Sequence, residues 1–293
     1  MLNRKIIFEN QYLNLIVTTI TSYHTPQEYL DATLKFLEER ELENNLIIGL
    51  CNGFEDKSKL LDGCLFINAI NDGQIVATSI KTTNRAIVSA SKEHRHDIRY
   101  LADYYLDNHI NIVCVFGEYD NAIQFSKSYG SEDKDARGMI VHQLETLNEL
   151  SLSPGYMEMA DIKDLDLITE WMMIFEEEAG GFSLPNREQM IRSTRARIEA
   201  GNFFKWIVDG ETVSMAALIR KTKNIGIVGF VYTPKNLRGK GYATVCTWKL
   251  SEHILQSGFK YCGLFTDASN PVSNKIYRNI GYLPVTEFIE IKL

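Results

Sequence analysis

The sequence predicts an α/β chain made of two copies of one unit. Two observations carry this reading: the order helix, three or four strands, helix, strand, helix, strand occurs twice, and 293 residues exceed one ordinary domain. A hydrophobic content of 45% with 24% charged residues is globular in kind. The copies are expected over residues 1–150 and 154–293, joined at a turn-rich stretch, 150–155.

In the first copy, residues 1–24 give little. Thr25-Pro26-Gln27-Glu28 opens a helix with an N-cap, a proline at the first helical position and a glutamate three residues on. Leu30, Leu34 and Leu37 form its buried stripe. Strand-like runs follow at 46–51, 64–70, 74–82 and 86–90, with Asn71-Asp72-Gly73 as a hairpin turn. A helix over 95–108, a strand over 110–116, a helix over 121–129 closed by Gly130 and a strand over 139–145 complete the copy.

The second copy opens with a strand at 156–160. Asp161 caps a helix whose apolar positions include Leu165, Ile168, Trp171, Met172 and Phe175, and Asn186 with Gln189 begins another. Strands are expected at 204–209, 212–221 and 225–233, with Asp209-Gly210 turning between the first two. A glycine-rich loop, a helix to Ser257, a strand at 261–266, a helix from Asn270 and a strand at 285–292 end the chain.

The stretch Val231-Tyr232-Thr233-Pro234-Lys235-Asn236-Leu237-Arg238-Gly239-Lys240-Gly241-Tyr242-Ala243-Thr244 organises this copy. Gly239 and Gly241 let the backbone turn tightly and approach a ligand. Amides of the turn and of the following helix point one way, the helix dipole adds positive potential, and Arg238 and Lys240 add full charges. This is an anion site suited to a diphosphate. It lacks the P-loop lysine pattern, and Thr244 stands where a dinucleotide fingerprint needs its third glycine.

Arg238-Gly239-Lys240-Gly241-Tyr242-Ala243 resembles the acyl-CoA loop of the GNAT superfamily of N-acetyltransferases, Arg/Gln-x-x-Gly-x-Gly/Ala. Downstream, Asn270, Ser273, Tyr277 and Gly281-Tyr282 resemble the second half of that signature. The spacing has its own logic: Asn270 caps, Pro271 suits the first helical position, Gly281 suits the C-terminal cap, and Asn270, Ser273 and Tyr277 share a helix face. The resemblance covers roughly residues 154–293. It implies two tandem GNAT-like domains, each a mixed, mostly antiparallel sheet flanked by helices. The first is degenerate, since Ser91 to Asp97 contains no glycine and Ser126 stands where Tyr277 stands in the second.

The resemblance further implies acetyl-CoA as cosubstrate and a strand before the loop that bulges and parts from its neighbour, to which Gly226 and Gly229 are suited. It puts backbone groups of Val231, Tyr232 and Thr233 along the pantetheine arm, the 239–244 amides on the pyrophosphate, and Asn270 and Ser273 beside the arm. It makes Tyr277 the acid that protonates the departing thiolate; a phenol of pKa about 10 keeps its proton at neutral pH. It puts acceptor contacts on the first helix pair, where Trp171, Phe175, Phe182, Glu177 and Glu178 lie, although an aromatic stripe at helical spacing is also ordinary core. The strand 225–233 holds no acid, so the general base stays open between Glu176, Glu177, Glu178, Asp267, a water relay and an amine that arrives neutral. A non-catalytic acyl-CoA-binding protein, or a transferase of another acyl group, remains as an alternative.

Residues 1–150 carry 14 Lys and Arg against 22 Asp and Glu; the remainder carries 17 against 16. An acidic whole argues against nucleic acid as a partner. It suits a small-molecule or peptide amine as acceptor, with a homodimer as one role for the first copy. No apolar run reaches the length of a membrane span and 1–11 has no signal core, so a cytoplasmic protein is expected. The five cysteines are scattered without a Cys-x-x-Cys pair and read as reduced core residues. His94-x-His96 has no third ligand nearby and reads as a surface or capping pair, so no metal is expected.

Overall fold

The computed structural model describes residues 18–53, 62–131, 135–151, 153–180 and 186–293. It contains mixed α/β structure divided into two compact units. The first comprises residues 1–140 and 286–293, the second residues 141–285.

In the first unit, β1 (Thr19–Tyr23), α1 (Pro26–Glu38) and α2 (Asn45–Gly53) precede β2 (Leu65–Asn71), β3 (Gln74–Thr82) and β4 (Arg85–Ala90). Then come α3 (Ile98–Asp107), β5 (Cys114–Glu118) and α4 (Tyr119–Ser128). The Thr25 hydroxyl accepts the Glu28 N–H at 3.1 Å, so α1 starts where its capping sequence says. Asp72 and Gly73 both adopt positive φ, the geometry a two-residue hairpin needs. Strands β1 to β4 pair antiparallel in sequence order, whereas β4 and β5 pair parallel, ending at Val88 opposite Gly117. The end of β12 (Leu283–Lys292), Phe288 to Lys292, runs antiparallel beside β5. Ile289 and Ile291 thereby enter one core with Ile67, Val88, Leu101 and Phe125.

Two expectations fail here. The run at 46–51 is helical, not a strand: Asn44, Asn45, Ile47, Ile48 and Cys51 are the buried positions, a helical period that six apolar residues alone cannot distinguish from a buried strand. The last strand returns to the first unit rather than closing the second. The boundary between the units falls within β6 (Ala136–Leu144), ahead of the turn-rich stretch.

The second unit begins with the end of β6 and β7 (Tyr156–Met159), followed by α5 (Leu165–Ala179) and α6 (Arg187–Glu199). Reciprocal capping boxes open the short 3-10 turn Ile162–Asp164 that leads into α5, Asp161 with Asp164, and the start of α6, Asn186 with Gln189. Next come β8 (Phe203–Val208), β9 (Glu211–Lys221), β10 (Ile225–Tyr232), α7 (Tyr242–Gln256), β11 (Tyr261–Asp267) and α8 (Pro271–Ile280). Asp209 and Gly210 repeat the positive-φ hairpin turn of the first unit. Strands β7 to β10 pair antiparallel and β10 pairs parallel with β11. One apolar cluster joins α7 and α8 to the sheet through Val228, Leu250, Ile254, Leu264 and Tyr277. Another joins α5 and α6 to it through Trp171, Met172, Met190, Phe203 and Met215.

Candidate active site

The site is organised by the place where β10 and β11 separate. Their parallel pairing holds from Ile225–Tyr261 to Val228–Leu264 and then stops. On the other side of β10 the pairing with β9 slips between Gly229 and Tyr232, where three steps on β10 answer two on β9. This bulge holds Phe230 at φ 51°, a left-handed conformation that a bulky residue adopts only when its surroundings impose it. Glycine beside it leaves room for Ile219, whose Cδ1 would lie 2.6 Å from a Cβ on Gly229 and would have to shift. Similarly, a Cβ on Gly226 would strike Ile254 of α7 at 2.5 Å. Val231 lies within the bulge, half-buried, outside the ladder.

Strand β10 delivers the chain into the glycine loop. Gly239 and Gly241 stand at φ 79° and 82°, and residues 238–241 are exposed. Among the described residues, no backbone carbonyl accepts from the N–H groups of Gly239 to Thr244, while the ladder of α7 begins with Val245 bonding to Gly241. Ser153 donates its hydroxyl to the Lys240 carbonyl at 2.8 Å, and a Cβ on Gly241 would meet that same hydroxyl at 2.7 Å. The loop is therefore held by the Lys240 carbonyl while its amides are left without a backbone acceptor among the described residues. Tyr242, Ala243 and Thr244 are half-buried as α7 begins.

The charged side chains behave differently. Arg238 donates Nε to the Thr233 carbonyl at 2.9 Å and Nη2 to Glu178 Oε2 at 2.7 Å; Lys235 lies 3.4 Å from the other Glu178 oxygen. Burial pushes the Glu178 carboxyl up, but the Arg238 hydrogen bond and charge outweigh it and leave it below the usual range. Tyr232 is buried against Trp171, with ring centroids 5.6 Å apart, and its carbonyl accepts from Ser214. The Thr233 hydroxyl shares a hydrogen bond with the same serine.

Helix α8 is positioned by its ends. The Asn270 side chain accepts from the Val272 and Ser273 amides at 3.1 Å, and Gly281 closes the helix at φ 119°, where a Cβ would meet the Thr146 carbonyl at 2.7 Å. Buried Asn274, one turn after Asn270, accepts the Thr266 hydroxyl at 2.6 Å and donates to the Asp267 carbonyl, locking α8 to the end of β11. That fixes Tyr277, which is 9% exposed and packs in one cluster with Val228, Val231, Tyr242 and Leu264. Its ring lies edge-on to Tyr282 at 6.0 Å and 6.4 Å from the buried His142. Among the described residues its hydroxyl has no hydrogen-bond partner, and burial alone pushes its pKa up. The phenol therefore stays protonated throughout the neutral range.

The residues expected on the acceptor side are divided. Trp171 is taken up in the core, Phe175 is half-buried and meets Phe230 edge-on at 5.7 Å, Glu177 is exposed, and Glu178 is committed to the loop. Phe182 lies outside the described residues. Asp267 spends one oxygen on the backbone and hydroxyl of Ser269. Among the described residues, no group of three His, Cys, Asp or Glu side chains could hold a metal ion, and no helix is long and apolar enough to cross a membrane.

The first unit has the same parting after Val88 and Gly117, but charged side chains line it. Arg40 reaches the Ala90 carbonyl at 3.3 Å and Glu118 at 2.6 Å, and Arg95 holds the other Glu118 oxygen at 3.0 Å. Where the second unit has its glycine loop, His94 and His96 both contact the buried carboxylate of Asp97 ahead of α3. Asn274, His142, Arg40 and Glu118 are the residues that sequence reading missed. Asn274 was accessible through its place one turn after a cap; the others act through distant partners.

A strand that bulges and leaves its parallel neighbour, running into a helix through a loop whose amides have no backbone acceptor, is the arrangement of the GNAT acetyltransferase fold, and this chain carries that fold in tandem. Residues 206–289 match the family model described as FR47-like protein. A GCN5-related N-acetyltransferase from Sphaerobacter thermophilus is similar with a TM-score of 0.64 at 14% identity, over 94% of this chain and 95% of that one. A GNAT-family acetyltransferase from Colwellia psychrerythraea aligns with a TM-score of 0.59 at 11% identity, over 94% and 99%. A tandem GNAT protein from the clavulanic acid biosynthesis pathway aligns at 0.56 and 10%, over 94% and 98%. No curated protein matches the sequence.

Proposed function

We propose that the chain is an acetyl-CoA-dependent N-acetyltransferase whose second unit carries the activity. The observation that supports this most is the continuity from the parted strands to the open amides of residues 239–244, with the Tyr277 side chain in the same apolar cluster. The amides and the α7 dipole suit a diphosphate, and the polar backbone freed at the bulge suits the amides of a pantetheine arm. Acetyl-CoA would bring an activated thioester; the protein's part is to grip it, exclude water and supply a proton.

In this reading the acceptor is a small-molecule or peptide amine. Its lone pair attacks the thioester carbon, so that a C–N bond forms as the C–S bond breaks. The sulfur takes the Tyr277 proton, the surplus proton on nitrogen leaves to water, and solvent reprotonates the phenol. The burial that raises the phenol also disfavours a free thiolate beside it, so donor and leaving group stay matched. A Tyr277 hydroxyl that has no hydrogen-bond partner among the described residues is poised for this role.

Release of free thiol from acetyl-CoA across a panel of amines tests the reading. Amine-dependent turnover upholds it. The absence of an acid on β10, and the commitment of Glu178 to Arg238, favour a second reading, a protein that binds acyl-CoA without turning it over. CoA-induced thermal stabilisation with no product from any amine would establish that alternative.

A further inference from the structure

The segment between β6 and β7 reads in sequence as a plain connection, yet it is fixed to the second unit on both sides of Ser153. Ahead of it, the Asn148 N–H donates to the Ile280 carbonyl at the end of α8, and Trp248 of α7 donates its indole N–H to the Asn148 carbonyl, each at 2.9 Å. After it, Trp206 of β8 donates to the Pro154 carbonyl at 3.1 Å. Gly155, at φ 123°, then passes too close to the Ile207 carbonyl for a side chain to fit. Between these anchors the Ser153 hydroxyl donates to the Lys240 carbonyl at 2.8 Å. The Lys240–Gly241 peptide is planar and trans, so its carbonyl and its N–H point in opposite directions. Tying the carbonyl to Ser153 therefore aims the Gly241 N–H away from the connection. Glycine at 241 tolerates either sign of φ, and without that tie the peptide would turn over at little cost. Among the described residues no backbone carbonyl accepts from this N–H, and Gly241 is exposed, so the group is available to a ligand.

We propose that Ser153 is a positioning residue of the donor site: by holding the Lys240 carbonyl it aims the Gly241 amide at the diphosphate of the coenzyme. This rests on the acetyltransferase reading for its choice of ligand, but any diphosphate held by the loop tests it without turnover. The hydroxyl's one proton is spent on the carbonyl, so Ser153 acts through the peptide rather than by donating to the phosphates. A hydrogen bond to a charged group is roughly twice as strong as one between neutral groups. Losing the hydroxyl therefore costs the fold the weaker bond and the bound anion the stronger one.

The test measures binding of CoA, inorganic pyrophosphate and pantetheine to the whole protein by calorimetry, for the native chain, Ser153→Ala and Ser153→Thr. Ser153→Ala should weaken CoA and pyrophosphate about tenfold, the worth of one hydrogen bond to a charged group. Pantetheine has no diphosphate, and its binding should not change. Ser153→Thr keeps the hydroxyl, and threonine suits the extended backbone of a residue before proline, so it should restore most of the affinity. Thermal midpoints without ligand separate positioning from folding: a Ser153→Ala chain that fails to fold has lost a structural residue and overturns the proposal. Undiminished binding of CoA and pyrophosphate by Ser153→Ala, an equal loss for pantetheine, or a threonine variant as weak as alanine also overturns it. If the native chain takes pyrophosphate but not CoA, the acetyl-CoA reading fails and pyrophosphate alone decides on Ser153, through the same two variants. If it takes neither, both fall.

Discussion

The Glu178 carboxylate holds the Arg238 guanidinium at 2.7 Å and so ties the last turn of α5 to the loop that leads into α7. The pair sits at the surface, so its value lies in position more than in stability. Glu178→Gln is expected to cost under about 1 kcal/mol of folding free energy. Removing the acid also leaves Arg238 available to an anion, so CoA should bind several-fold more tightly, with a steeper dependence on salt. Titration of CoA at two ionic strengths measures this. The Glu178 carboxyl is lowered in the folded state, so the pair's contribution is complete above the ordinary carboxylate pKa of 4.5 and is lost as pH falls through the lower folded value.

Tyr277→Phe separates a catalytic hydroxyl from a structural one. Among the described residues the hydroxyl bonds to nothing, so its removal should leave the thermal midpoint and CoA affinity nearly unchanged. The maximal rate should fall about 100-fold, the scale of a lost general acid. An undiminished rate would end that assignment.

The two loop glycines are not equivalent. At Gly239 an added methyl group meets nothing within 4 Å, and Gly239→Ala should cost only the left-handed strain, about 1 kcal/mol. At Gly241 the same strain is joined by a clash with the Ser153 hydroxyl, which braces the loop through the Lys240 carbonyl. Gly241→Ala should therefore lose more stability and more CoA affinity, as read by urea unfolding and CoA titration.

One CoA per chain is the expected stoichiometry by calorimetry, because residues 91–97 of the first unit contain no glycine and Arg40 and Glu118 line the parting of β4 and β5 as an ion pair. Arg40→Ala would leave Glu118, 8% exposed, short of one of its two arginines. It should destabilise the first unit by about 3 kcal/mol without creating a second binding event.

What the sequence disclosed was local. Asn270, Pro271 and Gly281 each act within one turn of themselves, so α8 was legible to within a residue, and the Asp-Gly hairpins likewise. Helix α2 was misread because LIIGLC is too short to show a period. Strand β1 has few apolar residues to mark it. The contact of His142 with Tyr277 and the pairing of Arg40 with Glu118 at the first parting depend on partners 135 and 78 residues away in sequence, which no spacing rule reaches.

The end of β12 lies beside β5, and this has a consequence for biosynthesis. Nearly half the polypeptide emerges from the ribosome while the first unit still lacks a strand at its edge, so Cys114 to Glu118 must wait, exposed, for residues 288–292. Severing the chain anywhere between its units would not liberate two self-sufficient halves, because one of them would always be missing its final stitch.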